Sequence, residues 1–353
     1  MGQNKNRYNK SFNFFKRFEH EILLDINENL LDSNLLIIEN TVFHIGTNEL
    51  HHMVKYYQKI ILNTLFFKQK KFLYEYNLWL YRVYYHRDVD LEFFRHLNQL
   101  FQKISSSYID HKFFIPIDEI FNYILDHHDY FKENASKKTI LIDCEKEATL
   151  LTKYLITNDK KNVIKNFAKD VSSLDEFFLF YDQIIYNTMK NIGFLWERGE
   201  VSIGQEHIAS NLLEEVLLEI LHKFSAKKTN NKHIFLSSAP NELHGLGVKI
   251  ASIIFEKLGY KVTSLGVNIP AKEIKKAIRE FQPDLIIFSA TLQISLIDIA
   301  FLIDELEQDK ETFTKKFQIG IAGNGFEQMV HPAKTLKANF YISNLKTIST
   351  ITP

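Results

Sequence analysis

The segment "HIFLSSAPNELHGLGVKIASIIFEKLG", residues 233–259, changes the pattern of the chain and decides its fold. Six residues of strand length lead into a polar loop that contains Glu and His, and an apolar stretch with helical periodicity follows. A short apolar run, a loop and a helix form the repeating unit of a parallel α/β sheet. The segment therefore predicts the first strand, loop and helix of such a sheet.

The same alternation continues to the end of the chain. Four further apolar runs of strand length lie at 260–266, 284–290, 317–323 and 339–343, and helix-like stretches lie at 270–281 and 295–308. Five strands of this kind predict a flavodoxin-like (Rossmann-type) parallel sheet over residues 232–353. Ligands of such sheets bind beyond the carboxyl ends of the strands.

Two helical regions precede the predicted sheet, so the fold class is α/β plus all-α. Residues 1–137 predict an aromatic-rich helical domain, because apolar residues recur there at three- and four-residue steps. Residues 138–226 predict a four-helix bundle that caps the sheet domain. In this bundle the following features are expected: Ser173 as a helix N-cap, a loop punctuated by Gly193, Gly199 and Gly204, and a last helix with Ile208, Leu212, Val216 and Leu217 on one side.

Composition narrows the class of protein. Lys plus Arg and Asp plus Glu both number 43, and this zero net charge argues against nucleic acid as a direct partner. Cys144 is the only cysteine, which suits a reducing cytoplasm. Because no run of about 18 uncharged apolar residues occurs, no membrane helix is expected.

The loop after the first predicted strand carries the first candidate site. Glu242, His244 and Gly247 form a Glu-x-His-x-x-Gly pattern at the expected binding edge. A neutral imidazole can bind a metal, and a nearby carboxylate can hold its second nitrogen. The third strand ends at Ser289 and Thr291, which supply hydroxyls, and the fourth ends in Gly-Asn-Gly. Together these loops predict a pocket for a ligand with a long polar tail.

This pattern resembles the cobalamin-binding domain family, which has an Asp-x-His-x-x-Gly loop, a Ser-x-Leu or Ser-x-Thr segment and a Gly-Gly segment in the same order. The resemblance implies that His244 is the lower axial ligand of cobalt and that Glu242 replaces the aspartate that orients it. It further implies that the nucleotide tail is lined by Gly245, Gly247, Ser289, Thr291, Gly323 and Gly325. The chain departs from the family by Glu in place of Asp and by Gly-Asn-Gly in place of the glycine pair.

A second motif, "WERGEVSIGQEH" at 196–207, precedes the sheet. Trp, nine residues and Glu-His resemble the helical cap of light-sensing cobalamin proteins of the CarH and LitR type. The resemblance implies that Trp196 and Glu206 contact the 5′-deoxyadenosyl group, and that His207 can take the cobalt after light has cleaved the Co–C bond. From the residues alone, Trp196 would be a packing residue and Glu206-His207 a first-turn helix cap.

The N-terminal region lacks the MerR-type DNA-binding motif of CarH-type regulators, so direct DNA binding is not expected. It is similar in layout to photocobilins, which also bind biliverdin. The aromatic residues and His86, His96, His127 and His128 would suit a second tetrapyrrole, but an ordinary helical core is favoured. The pairs His51-His52 and His127-His128 are poor metal pairs, since helical neighbours point about 100° apart. Cys144 is not an obvious bilin attachment site.

We therefore expect a cobalamin-binding light sensor that is not itself an enzyme, with adenosylcobalamin as the leading cofactor. Two alternatives use the same scaffold: a biliverdin-binding photosensor with or without cobalamin, and a corrinoid methyl carrier of a methyltransferase system. The expected partners are the tetrapyrrole, a downstream signalling protein of unknown identity and, as an open alternative, further copies of the chain.

Overall fold

The computed structural model describes residues 2–32, 37–38, 41–42, 47–137, 146–169 and 171–351, which form two compact units. Unit 1 is Met1–Thr139 with Glu197–Gly199, and unit 2 is Ile140–Trp196 with Glu200–Pro353. Cys144 lies outside the described residues. The predicted division into domains 1–137, 138–226 and 232–353 stays a prediction.

Unit 1 is helical in its described part, apart from a two-stranded antiparallel hairpin. Its elements are α1 Gly2–Arg17, α2 Glu19–Asp32, β1 Ile37–Ile38, β2 Thr41–Val42, α3 Thr47–Phe67, α4 Lys71–Tyr85, α5 Glu92–Tyr108, α6 His111–Asp126 and α7 His128–Ala135. The long periodic region breaks into α3 and α4 where Lys68 adopts a left-handed conformation with φ 57°.

Aromatic side chains fill the core of unit 1. The fully buried ones are Phe15, Tyr57, Phe72, Tyr81, Phe93, Phe94, Phe101, Phe121 and Phe131. The Tyr57 hydroxyl lies 3.0 Å from Asn77 Oδ1 and 2.5 Å from Asn98 Oδ1, so the polar end of this buried ring is satisfied. The aromatic density thus builds an ordinary helical core.

A charged network joins the buried His128 to partly exposed charged residues of unit 1. His128 is buried, and its Nδ1 accepts from the Tyr81 hydroxyl at 2.6 Å while its Nε2 donates to Glu92 Oε1 at 3.0 Å. Lys132 and Arg95 also donate to Glu92, at 2.5 and 3.0 Å. Partial burial works to raise the pKa of Glu92, but the bonds from Lys132 and His128 lower it to about 2. Burial lowers the pKa of His128, so its ring stays neutral.

The first part of unit 2 is a bundle of four helical segments, as predicted. They are α8 Lys146–Ile156; α9 Lys160–Val163, which continues as a π-helical turn over Ile164–Ala168; α10 Leu174–Phe180, which passes through a π-helical turn at Tyr181–Ile185 into α11 Tyr186–Glu197; and α12 Ile203–His222. Ser173 caps α10 through a bond from Glu176 N, which confirms its predicted role.

Three details of the bundle were predicted wrongly. Gly193 and Gly204 lie inside α11 and α12, so only Gly199 belongs to the loop between them. Gly199 has φ 70°, and Glu200 N donates to Leu195 O at 2.9 Å, which closes the end of α11 in the manner of a Schellman turn. Ile208 is exposed, because the buried face of α12 runs through Ala209, Leu212, Leu213 and Val216 instead.

The second part of unit 2 is a five-stranded parallel sheet in the order β4-β3-β5-β6-β7. Its elements are β3 His233–Ser238, α13 Leu246–Lys257, β4 Lys261–Ser264, α14 Ala271–Phe281, β5 Leu285–Ser289, α15 Leu296–Gln308, β6 Gln318–Ala322, α16 Pro332–Leu336 and β7 Phe340–Ile342. All six residues of β3 are buried, as a strand covered on both faces requires. The flavodoxin-like fold is thereby confirmed.

The bundle and the sheet share one hydrophobic core. Its cluster runs from Leu155 and Leu217 in the bundle to Ile254 behind the sheet. The Tyr186 hydroxyl of α11 also donates to Glu327 Oε1, beyond β6, at 2.9 Å. The carboxyl edge of the sheet is therefore held in a defined position under the bundle. Among the described residues, no helix is both long and apolar enough to cross a bilayer.

We predict that acid weakens unit 1 through Glu92 and His128. Both groups have a folded pKa below the ordinary value, so the unfolded chain binds more protons as the pH falls. Stability is first lost below pH 6.5, through His128, and then between pH 4.5 and about 2, through Glu92. Replacing Glu92 with Gln should cost about 1–2 kcal/mol at pH 7 and flatten the dependence at lower pH.

Urea unfolding followed by Trp79 fluorescence, in a Trp196→Phe background, measures unit 1 alone, since the chain has two tryptophans. Glu133→Gln replaces an exposed glutamate of α7 and is the matched control. Wild-type acid sensitivity below pH 4.5 in Glu92→Gln would contradict the assignment.

Candidate functional site

The loop after β3 places Glu242 and His244 at the point where the strand order reverses. β4 lies on one side of β3 and β5 on the other, so a crevice opens beyond the carboxyl ends of β3 and β5. The Glu242 side chain is 3 % exposed, and the His244 side chain is 51 % exposed. The loop thus buries the carboxylate and presents the imidazole.

The two side chains are bonded to each other. His244 Nδ1 donates to Glu242 Oε1, and the backbone N–H of His244 donates to the same oxygen at 3.3 Å. Ser238 Oγ donates to the His244 carbonyl at 3.0 Å and fixes the backbone. With Nδ1 engaged, Nε2 is the nitrogen that can accept or coordinate. This is the arrangement predicted for an oriented metal-binding histidine.

The second carboxylate oxygen of Glu242 reaches the loop after β5. Ser295 Oγ, buried, donates to Oε2 at 2.9 Å, and the Leu292 backbone N–H donates at 3.3 Å. Ser295 was not among the residues predicted from the sequence. Its position immediately before the first residue of α15 could have drawn attention to it. A serine at that position is common, however, and is usually interpreted as a helix cap.

These contacts shift two pKa values in opposite directions. The hydrogen bond to Glu242 raises the pKa of His244 above its usual 6.5; burial opposes this change, and the nearby charge of Glu206 adds to it. Burial works to raise the pKa of Glu242, but the bonds from His244 and Ser295 outweigh it and lower the pKa. The pair therefore favours a carboxylate beside an imidazole with strengthened basicity.

Two further predicted site residues, Gly247 and Ser289, lie close to each other. A Cβ added to Gly247 would lie 4.0 Å from Ser289 Oγ, so the start of α13 and the end of β5 lie close together. Thr291 is exposed just beyond β5. Gly245 allows close packing against Val267, because a Cβ there would meet Val267 Cγ1 at 2.7 Å. The contact of these residues with a nucleotide tail stays a prediction.

Gly323 and Gly325 make room for backbone in the structure, and their predicted contact with a nucleotide tail stays a prediction. Gly323 has φ 105°, and a Cβ on it would lie 2.2 Å from the Ala290 carbonyl oxygen. A Cβ on Gly325 would lie 3.0 Å from both the Ala290 and Leu292 carbonyl oxygens. The two glycines thus let the loop after β6 pack on the loop that carries Ser289 and Thr291.

Three large apolar side chains are exposed in the loops at this edge, and all were missed. Leu243, Leu292 and Val330 are 66, 39 and 68 % exposed, and they follow β3, β5 and β6 respectively. An apolar side chain exposed in each of three neighbouring loops favours an apolar ligand face there. Leu243, flanked by Glu242 and His244 in a polar loop, was the signal available in the sequence.

The start of α12 supplies the bundle side of the site. Ser202 and Gln205 form a capping box, so Glu206 and His207 are not needed as the cap. Glu206 instead accepts from Ser210 Oγ at 2.7 Å and lies 3.2 Å from His207 Nδ1. Its charge acts on His244, which places the first turn of α12 within electrostatic range of the His244 loop.

His207 lies on an exposed face of α12 and its side chain is 70 % exposed. At 100° per residue, Ile203 lies about 40° from it on this face, and Ile208 lies about 100° to the other side; they are 61 and 46 % exposed. Trp196, half-buried near the end of α11, shares a helix face with Met189 and Gly193. A Cβ on Gly193 would meet nothing within 4 Å, so space is open beside that face.

Comparison with known proteins agrees with this geometry. Residues 232–338 match the model of a B12 binding domain, and residues 148–220 match a second B12 binding domain model. These ranges contain four of the five strands of the sheet, the His244 loop and most of the bundle. The matches support a cobalamin-binding family.

Curated relatives include both regulators and carriers. The HTH-type transcriptional repressor CarH of Myxococcus xanthus is 28 % identical over 128 residues, which are 36 % of this chain and 42 % of the repressor. A corrinoid protein of Desulfitobacterium hafniense is 28 % identical over 134 residues, 36 % of this chain and 62 % of the relative. The chain thus spans less than two thirds of either. Among solved structures, the monomethylamine corrinoid protein of Methanosarcina barkeri aligns over 57 % of this chain and 94 % of its own, at 17 % identity and a TM-score of 0.45.

We predict that Glu242 sets the protonation of His244. Replacing Glu242 with Gln should lower the His244 pKa toward 6.5, because the principal bond that raises it is weakened. Glu206→Gln should lower it less, since that glutamate acts only through its charge. NMR titration of the histidine ring protons, with the signal assigned by His244→Ala, measures both shifts; equal His244 pKa values in wild type and Glu242→Gln would refute the prediction.

Proposed function

We propose that this chain is a light sensor that binds adenosylcobalamin between its helical bundle and the carboxyl edge of its sheet. One observation carries the proposal. A buried carboxylate, Glu242, holds an exposed imidazole, His244, at the switch point of the sheet, and the Glu206-His207 turn of the bundle lies within electrostatic range of it.

The residues present fit this cofactor. His244 offers Nε2 to cobalt because Nδ1 is engaged by Glu242. Leu243, Leu292 and Val330 provide apolar contact for the flat face of a corrin ring, and burial of such area is favourable. Ser289 and Thr291 would bond the polar tail. When bound, adenosylcobalamin supplies a cobalt–carbon bond that light can break.

The bundle residues account for a response to light. Trp196 would cover the adenosyl group with its ring, and Glu206 would bond to it. His207 is exposed beside Ile203, so its imidazole would be accessible to the upper face of the ligand. A change in what these residues contact would alter the packing of bundle on sheet, which is how a local switch acquires a wider readout.

A corrinoid methyl carrier is the second candidate function. The similarity of this chain to corrinoid proteins supports it. The Trp196 and Glu206-His207 set favours the sensor, since a methyl group needs no such cradle. We propose accordingly that the chain acts as a sensor and not as an enzyme component.

Biliverdin binding by unit 1 is a further alternative. Tyr74, Tyr123 and His127 are half-buried and Tyr130 is exposed, and their rings lie within 4.3 to 6.2 Å of one another in the contacts that join them. Such a set could stack on a bilin. A cytoplasmic location, a downstream signalling partner and a homo-oligomeric state stay predictions.

We predict that His244→Ala weakens cobalamin binding or shifts its absorption spectrum toward a base-off form, because the lower ligand to cobalt is removed. Titration of the dark protein with adenosylcobalamin measures both. Ser252→Ala removes a buried hydroxyl group of α13, in the same domain but away from the loop, and should change neither. Wild-type affinity and spectrum in His244→Ala would exclude the lower-ligand role.

Illumination tests the sensor directly. The protein loaded with adenosylcobalamin should change spectrum irreversibly on exposure to light, and His207→Ala should bind in the dark like the wild type but give a different light product. Methylation of bound cobalamin by a partner methyltransferase, with no photoresponse, would favour the carrier. A far-red band after addition of biliverdin would favour the bilin alternative.

A further inference from the structure

The end of α11 and the loop that follows it contain residues of both units. Trp196 and Glu200 are grouped with unit 2, whereas the three residues between them, Glu197–Gly199, are grouped with unit 1. The proposed ligand-facing tryptophan is therefore followed directly by a segment that belongs to the N-terminal helical unit.

Glu197 is held within unit 1 by a buried ion pair. Its side chain is 7 % exposed, and Oε1 accepts from Arg82 Nε of α4 at 2.5 Å; Arg82 is itself 21 % exposed. Such a pair, largely removed from water, depends strongly on geometry, and loss of one partner leaves a buried charge. The ion pair therefore fixes the position of the Glu197 side chain relative to Arg82.

The backbone of the same loop is held as well. Arg87 Nη1 donates to the Glu197 carbonyl at 3.2 Å and to the Val83 carbonyl at 2.6 Å. A Cβ on Gly199 would lie 3.5 Å from the His86 carbonyl oxygen. Residues of α4 and of the turn after it thus contact the Glu197 side chain, the Glu197 carbonyl and Gly199.

This arrangement constrains Trp196 by simple chain geometry. Adjacent Cα atoms lie about 3.8 Å apart, so the end of α11 cannot shift at Trp196 without a force on Glu197. Because Glu197 is bonded to Arg82, that force acts on α4. The interior of α4 packs through Phe72, Leu73 and Tyr81, which are fully buried.

We propose that the Glu197–Arg82 pair transmits the state of the ligand at Trp196 to α4, so that the N-terminal helical unit is the element that reads the cobalamin site. The proposal rests on the proposed function, in which Trp196 faces the upper side of cobalamin. Glu197 is a positioning residue here, since it acts through Trp196 and not on the ligand.

Amide hydrogen exchange of the full-length protein tests this. On addition of adenosylcobalamin in the dark, and again after light, the wild-type amides of Lys71–Tyr85 should change exchange rate severalfold. Glu197→Gln should lose most of this change in a protein that still binds cobalamin, as its absorption spectrum would show. Arg82→Lys, which keeps the charge but not the planar guanidinium, provides a second variant if Glu197→Gln folds poorly.

Two controls separate transmission from loss of stability. Glu200→Gln changes the next acidic residue of the loop, on the unit 2 side, and Glu92→Gln weakens unit 1 away from the loop; both should keep the ligand-dependent change. In the absence of ligand, Trp196→Ala alone should alter the amide exchange of α4. The same substitution made in the Glu197→Gln variant should not.

The outcomes distinguish the two proposals. A ligand-dependent change in α4 that persists in Glu197→Gln, or its absence in a wild type that binds cobalamin, overturns the transmission role. A protein that binds no cobalamin overturns the proposed function, and the Trp196→Ala comparison then decides transmission alone. A change on binding but not on illumination supports transmission and removes the light response.

Discussion

The carboxylate of Glu242 is the interaction on which the site depends. One oxygen engages His244 and the other engages Ser295 and the backbone of Leu292, so a single buried group joins the loops after β3 and β5. Burial of a charge is costly unless it is fully bonded, and here both oxygens are. The loop therefore has little freedom to place the imidazole elsewhere, and the switch-point crevice carries one oriented nitrogen.

The extra methylene of Glu, relative to the Asp of the resembling family, has a structural counterpart. The longer side chain still reaches His244 across two residues, and it also reaches Ser295, which lies 53 residues further along the chain. The departure from the family pattern therefore keeps the histidine oriented and does not disconnect the pair. The serine completes a bonded series of hydroxyl, carboxylate and imidazole that a pattern of neighbouring residues cannot reveal.

The sheet was predictable because short apolar runs that alternate with helical stretches are enough to determine it. Every predicted strand, from His233 to Ile342, forms where such a run lies. The Glu242–His244 pair was predictable because its two members are close in sequence. Ser295 and Val330 were not, since their meaning depends on contacts made after folding. The capping box of Ser202 and Gln205 is a local Ser-x-x-Gln pattern, so the sequence did contain a signal for it. A missing Cβ at Gly323 can admit a ligand or a carbonyl, and the fold shows that the Ala290 carbonyl oxygen lies in that space. Contact of the loop glycines with a ligand stays a prediction. The helix break at Lys68 depends on a backbone conformation that lysine rarely adopts.

The π-helical turn at Tyr181–Ile185 has a consequence for evolution of this bundle. A π turn holds one residue more than the α-helical turn it replaces, and each residue of an α-helix advances the chain by about 100°. Because the wide turn absorbs the extra residue, loss of one residue there would restore a regular α-helix and leave Met189, Gly193 and Trp196 facing as they do now. A residue gained or lost in the regular helix between this turn and Trp196 would instead rotate the tryptophan by about 100°. The π turn is therefore a place where the helix can change its length by one residue without redirecting the tryptophan.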